Sequence, residues 1–154
     1  SPSGSNLQPL KYYLSNEQDK NGLIFSTLAW ARYLKDWNGP DKGERPSAYI
    51  IILGDKKIAE KFGVDPGIAA QSILLGATEK GLGGCMFGSV SREKLRKLLN
   101  ISSQYKILYV LAVGYPVEKV QIDPVEESGD IKYWRDENQV HHVPKRSLSE
   151  LIIS

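Results

Sequence analysis

Two short runs set the limits on how this chain can fold. Ala48-Tyr49-Ile50-Ile51-Ile52-Leu53 and the segment 106–113, Lys-Ile-Leu-Tyr-Val-Leu-Ala-Val, are rich in β-branched residues and apolar at successive positions. Successive side chains of a strand point to opposite faces, so strands of this kind must be covered on both sides. They are expected to be buried central strands, the first closed by Gly54-Asp55 and the second by Gly114-Tyr115-Pro116. Leu10 to Leu14 reads as a further strand, followed by a turn at Asn21-Gly22.

Helices fill the intervals. Trp30, Tyr33, Leu34 and Trp37 recur at helical spacing, which predicts an amphipathic helix over 25–37 stopped by Asn38-Gly39-Pro40. A polar loop, Asp41 to Pro46, follows. The segment 66–80 has Asp65 as a capping residue, Pro66 at its first position and Gly81 as its stop. Ile68, Ala69, Ala70, Ile73, Leu74, Leu75, Gly76 and Ala77 leave it little polar face, so it should be buried on most sides. In a small domain a second subunit supplies such cover more easily than the chain itself, which points to a homodimer. Gly83 to Val90 reads as a loop or short strand. Ser91 to Leu99 reads as a surface helix whose cations Arg92, Lys94, Arg96 and Lys97 form a solvated face. Ser147 and Glu150 make a capping box for a short terminal helix. The whole, residues 1–154, reads as a single α+β domain.

Composition narrows the function classes. Twenty basic residues stand against eighteen acidic ones without a basic, aromatic-interleaved stripe, which argues against nucleic acid as a partner. One cysteine, Cys85, excludes an internal disulfide framework and a thiol cluster for zinc, so a reducing cytoplasm is the expected location. Cys85 is expected to be a buried small apolar residue. No apolar run approaches the roughly 20 residues that span a bilayer. His141 and His142 are adjacent, and neighbours in an extended segment face opposite ways, so no metal site is expected of them.

Gly81-Leu82-Gly83-Gly84 is not a dinucleotide fingerprint, because Met86 occupies the place of the third glycine and the run follows a helix. No P-loop is present. The glycines of segment 81–88 do allow bare backbone to approach a flat ligand. The octapeptide Pro2-Ser3-Gly4-Ser5-Asn6-Leu7-Gln8-Pro9 offers hydroxyls, an Asn carboxamide and backbone N–H groups. That donor and acceptor set suits the edge of a heteroaromatic ring such as a flavin pyrimidine; a plain turn into the first strand is the competing reading.

Taken in order, these segments resemble the FMN-dependent nitroreductase family. The resemblance is carried by the octapeptide, by Asp65-x-Gly67-x-x-x-Gln71 with Leu75 and Ala77, by Gly81-Leu82-Gly83-Gly84-Cys85-Met86-Phe87-Gly88, by Gly114-Tyr115-Pro116 and by Pro144-Lys145-Arg146-Ser147-Leu148. It implies a three-layer α+β fold, a central mainly antiparallel sheet flanked by helices, dimeric with flavin at the interface. It also implies an FMN-dependent oxidoreductase that passes electrons from NADH or NADPH to nitroaromatic, quinone or related acceptors by a ping-pong mechanism. A non-catalytic flavin-binding protein for storage or sensing, and specialised flavin chemistry such as reductive dehalogenation, are the alternatives on the same fold. By resemblance, Pro2, Ser3, Gly4 and Asn6 meet the flavin from the partner subunit. Met86, Phe87 and Gly88 lie along its ring with the Gly88 backbone near N5, and Lys145 and Arg146 hold the phosphate. Arg45 or Lys42 is a candidate for a cation near N1 and C2=O. Trp30, Tyr33 and Trp37 line a substrate channel or belong to the core. Against that family, the chain is expected to lack the usual N-terminal helix and Arg-rich segment.

Overall fold

The computed structural model describes residues 1–153 and divides the chain into two compact units. One comprises residues 1–29 and 40–116; the other comprises 30–39 and the residues from Val117 onward.

The first unit is built on four strands, β1 (Leu10–Ser15), β2 (Ala48–Asp55), β3 (Gly83–Phe87) and β4 (Tyr105–Gly114). Their order is β1-β2-β4-β3, and every pairing is antiparallel. The two apolar runs are thus the central strands, as their composition demands. On one face Ile52 and Leu111, both fully buried, meet Ala70 of α2 (Asp65–Glu79), with Leu10, Ile50, Ile73 and Tyr109 around them. On the other face Tyr49 and Ile51 are equally enclosed. Helix α1 (Gln18–Phe25) packs on β2 and on α3 (Arg92–Leu98), where Ile24 and Leu95 have no exposed surface. Gly54 stands inside β2 because the Phe62 ring lies on it; a Cβ there would come within 2.3 Å of the ring.

The second unit has β5 (Val120–Pro124), β6 (Trp134–Arg135), β7 (His141–Lys145) and the short α4 (Leu148–Leu151). Strand β7 is central, parallel to β5 and antiparallel to β6. The capping box of Ser147 and Glu150 forms as read from the sequence.

Several local expectations are corrected. Asn21-Gly22 is not a turn but part of α1, a helix whose polar composition and single fully buried residue, Ile24, hide its period. The helix expected over 25–37 does not form beyond Phe25. Successive tight turns take its place, with Leu34 N–H donating to Ala31 and Trp37 N–H to Leu34. Repeated three-residue turns place aromatics at near-helical intervals without a continuous helix. Trp30 meets Trp37 edge-on at 5.9 Å, and Arg135 lies over Trp37 at 4.4 Å. Asp65 does not cap α2, whose end carries no side-chain cap bond. The other end follows the sequence: Gly81 has φ +73°, its N–H bonds to Thr78, and the Leu82 N–H bonds to Ala77. Within the chain α2 buries Asp65, Pro66, Ala69, Ala70 and Ala77 and leaves Leu75 60% exposed, so one side is uncovered. The cations of α3 are not a simple solvated face. Arg92 donates to the carbonyls of Ile107, Gly88 and Leu108, Arg96 to those of Ile101, Ser102 and Tyr105, and Lys94 to that of Ser26. They tie helix to sheet and loop. Cys85 is exposed rather than buried, because β3 is an edge strand.

Candidate functional site

The octapeptide is a preformed loop. It makes one 3-10 turn, Gly4–Asn6, and Ser5, Asn6 and Gln8 all have φ between 50° and 54°. Left-handed backbone at three non-glycine residues persists only where neighbours hold it. Asp65, 6% exposed at the start of α2, does so. It accepts the Ser3 hydroxyl at 2.5 Å and the Gly4 N–H at 3.0 Å, across 62 and 61 residues of chain. The Ser3 hydroxyl also accepts the Gln8 N–H at 2.9 Å, which closes the loop on itself. The Ser3 and Gly4 bonds hold the Asp65 carboxyl below the usual carboxylate range. Thus Ser3 and Gly4 spend these donors on Asp65. The Asn6 carboxamide oxygen takes a bond from Gln8 at 3.0 Å, and its side chain is exposed. Pro2, Ser3, Gln8, Leu10, Tyr12 and Asp65 line a recess of ≈ 180 Å³ here. That is smaller than the roughly 300 Å³ at which cofactor-sized sites begin.

At the opposite edge of the sheet, β3 presents Gly83 and Gly84 followed by exposed Cys85 and Met86. Met86 pairs with Leu111 and so faces the α2 side, whereas Cys85 and Phe87 face the other. Phe87 is 5% exposed and serves the core. Gly84 lets α2 come close, since a Cβ there would meet Leu74 at 2.4 Å. Gly88, just past the strand, is exposed, and its carbonyl is held by Arg92 at 3.0 Å. The result is a glycine-rich edge strand that Leu74 and Pro116 cover at Gly84 and Gly83, and that is open at Gly88.

Between α1 and the loop before β2 lies a larger recess of ≈ 490 Å³, lined by Asn21, Phe25, Lys42, Arg45, Ser47 and Tyr49 among others. The Arg45 guanidinium stacks on Phe25 at 3.9 Å. Asn21 is fixed by Ser15 at 2.8 Å and by the Ser47 carbonyl at 2.8 Å.

Lys145 and Arg146 belong to the other unit, at the end of β7, both exposed; Arg146 lies 3.7 Å from Glu150. His141 and His142 face opposite ways as expected. His141 approaches Glu118 at 3.0 Å, while His142 meets Asp123 at 2.7 Å and Asp136 at 3.6 Å and stacks on Trp134 at 4.6 Å. Among the described residues no group of His, Cys, Asp and Glu has the arrangement of a metal site, and no helix is long and apolar enough to cross a membrane. Sequence reasoning missed the Asp65 clamp and the enclosed Tyr49 hydroxyl. An acid at a helix start signals only a cap, and a tyrosine in an apolar strand signals only core.

Comparison with known proteins agrees with this architecture. Iodotyrosine deiodinase of Thermotoga neapolitana is 26% identical over 132 residues, 75% of this chain and 70% of that protein. A solved Bacteroides thetaiotaomicron protein, named as a candidate NADH dehydrogenase/NAD(P)H nitroreductase, is 26% identical with a TM-score of 0.62, covering 91% of this chain and 75% of its own. A nitroreductase-like chain of Desulfovibrio desulfuricans, solved in complex with FMN, shares the fold at a TM-score of 0.65 and 19% identity, over 99% of this chain and 76% of its own. The nitroreductase family model matches residues 1–115, and with an antiparallel α+β core of this topology the chain belongs to the nitroreductase family of oxidoreductases.

Proposed function

We propose that this protein is an FMN-dependent oxidoreductase that takes electrons from NADH or NADPH and passes them to nitroaromatic, quinone or related small acceptors. The observation that carries the reading is the outer end of the β3 edge strand, where exposed Met86 and the exposed, side-chain-free Gly88 leave backbone open to a planar ring. A Desulfovibrio chain of the same fold holds FMN, which supports the choice of group. FMN supplies the hydride and electron transfer. The chain's own residues bind and orient. Met86 and Gly88 support the ring, and the Gly88 amide is a donor toward N5. Lys145 and Arg146 supply two cations for a phosphate, which charge-assisted bonds and an arginine fork suit.

The octapeptide and Gly88 flank opposite edges of one sheet, with β2 and β4 between them. At about 4.8 Å per strand the separation is roughly 14 Å. A ring lying on β3 is therefore more readily met by the octapeptide of a second copy, through Pro2 and the exposed Asn6 carboxamide. The open side of α2, with Leu75 exposed, and the small octapeptide recess support the same homodimer.

The test is direct. The purified protein should be yellow, release FMN on denaturation and sediment as a dimer. Anaerobic NADH or NADPH should bleach it, and a quinone should restore the colour. A protein that takes up no FMN at micromolar concentration overturns the proposal. Bound flavin that no nicotinamide bleaches leaves a binding protein instead. The likeness to iodotyrosine deiodinase favours one second reading, reductive dehalogenation, which iodide release from iodotyrosine would reveal.

A further inference from the structure

Tyr49 is 1% exposed, and its hydroxyl has no hydrogen-bond partner among the described residues, although the side chain lines the recess beside α1. A buried hydroxyl without a partner costs stability, so its presence calls for an acceptor that the chain does not provide. Burial pushes the phenol up to about 12, against the opposing influence of Arg45, so at neutral pH it is a donor. Arg45 is exposed at the rim of the same recess, and its guanidinium is bound by no protein acceptor among the described residues. Arg92, Arg96 and Arg135 spend their guanidinium groups on carbonyls or on Glu118. Arg45 instead stacks on Phe25 and makes no hydrogen bond or ion pair with any described residue. The stack fixes the plane of the fork while its N–H groups stay unspent. Lys42 adds a second cation, and Asp19 at the start of α1 offsets one charge, which leaves the lining at a net charge of +1. The volume of ≈ 490 Å³ admits a molecule of one or two rings.

We infer that this recess is a binding subsite for a planar aromatic monoanion, an aryl carboxylate or a phenolate, whose charged oxygens take the Arg45 fork and the Tyr49 hydroxyl. The inference goes beyond the proposed flavin chemistry: it assigns Arg45 and Lys42 to an anionic ligand rather than to the flavin, and it does not need the flavin to be tested.

Equilibrium dialysis of the full chain, as purified, with 4-nitrobenzoate and with nitrobenzene tests it. The anion should bind at least about tenfold more tightly than its neutral analogue. Arg45→Gln should erase most of that preference, and Arg45→Lys should restore part of it. Tyr49→Phe should weaken the anion several-fold while leaving the melting temperature unchanged or higher, because an idle hydroxyl is removed. Equal binding of the two ligands, no binding of either, or variants that leave the preference intact would overturn the subsite. So would a loss of FMN affinity in Arg45→Gln with the preference unchanged, because Arg45 would then belong to the flavin. A protein that binds no FMN yet discriminates the two ligands would retain this inference and lose the proposed function.

Discussion

The two units of the chain are held by different physics. The first is closed by aliphatic burial: Ile51, Ile52, Val110 and Leu111 have no exposed surface. In the second, Val120, Ile122, Ile131 and Trp134 are exposed, and polar contacts link the small sheet. Glu118 joins Arg135 at 2.5 Å, and His142 joins Asp123 and Asp136. Burial responds weakly to pH and salt, whereas ion pairs respond strongly. All three tryptophans, Trp30, Trp37 and Trp134, lie in the second unit, so indole fluorescence follows that unit alone.

The largest effect is expected in the first unit. Leu111→Ala opens a cavity against Ile52 and Ala70 and should cost about 2–5 kcal/mol. A melting curve followed by circular dichroism should show it; a loss under about 1 kcal/mol would break the contrast between the units. Next comes ligand affinity in the second unit. The double change Lys145→Ala with Arg146→Ala should weaken FMN by at least about tenfold while sparing riboflavin. Equal losses would mean that the two cations support the structure and not a phosphate.

A smaller effect attends pH. Hydrogen bonding to Asp123, and then to Asp136, raises the His142 imidazole above its ordinary 6.5, against the opposing effect of burial. A raised value means that the pairing stabilises the second unit fully below 6.5 and is lost as pH rises through the folded value. The carboxyls of Asp123, bonded by Gln121 and His142, and of Asp136, bonded by the Val140 N–H, lie below the ordinary 3.8. Their contribution is present above that value and is lost as pH falls through the folded ones. Tryptophan fluorescence should therefore change on titration upward from 6.5 through the folded value, and His142→Gln should remove the change. An unaltered profile in the variant would assign it to another group. The smallest effect is at the terminal helix, where Ser147→Ala removes the capping box and should cost about 1 kcal/mol or less, visible as faster amide exchange at Glu150.

The same contrast explains what could be read from the sequence. The central strands and the α2 stop at Gly81 were legible because burial and backbone geometry leave local signatures: continuous β-branched runs and a glycine after the last apolar turn. The candidate flavin residues were named through family resemblance, and Cys85 was misjudged because an edge strand cannot be told from a central one by composition. The segment 25–37 has aromatics at helical spacing, yet Trp30, Tyr33 and Trp37 pack within the second unit through pairs such as Tyr33–Tyr133 at 5.0 Å. Partners so distant in sequence leave no local trace. Asp65 with Ser3, and His142 with Asp123, belong to the same class.

The Asp65 clamp also fixes an order of events. Its two bonds close a loop of about 60 residues, so beyond its own local bonds the octapeptide gains this anchor only once the start of α2 has been brought to it. The clamp is therefore expected to form late in folding, and its loss on local opening would free the segment without disturbing the aliphatic core. A protease that cuts only frayed chain should find residues 1–9 well before it finds the sheet, and a molecule nicked there would keep its aliphatic core while losing Pro2 and Asn6.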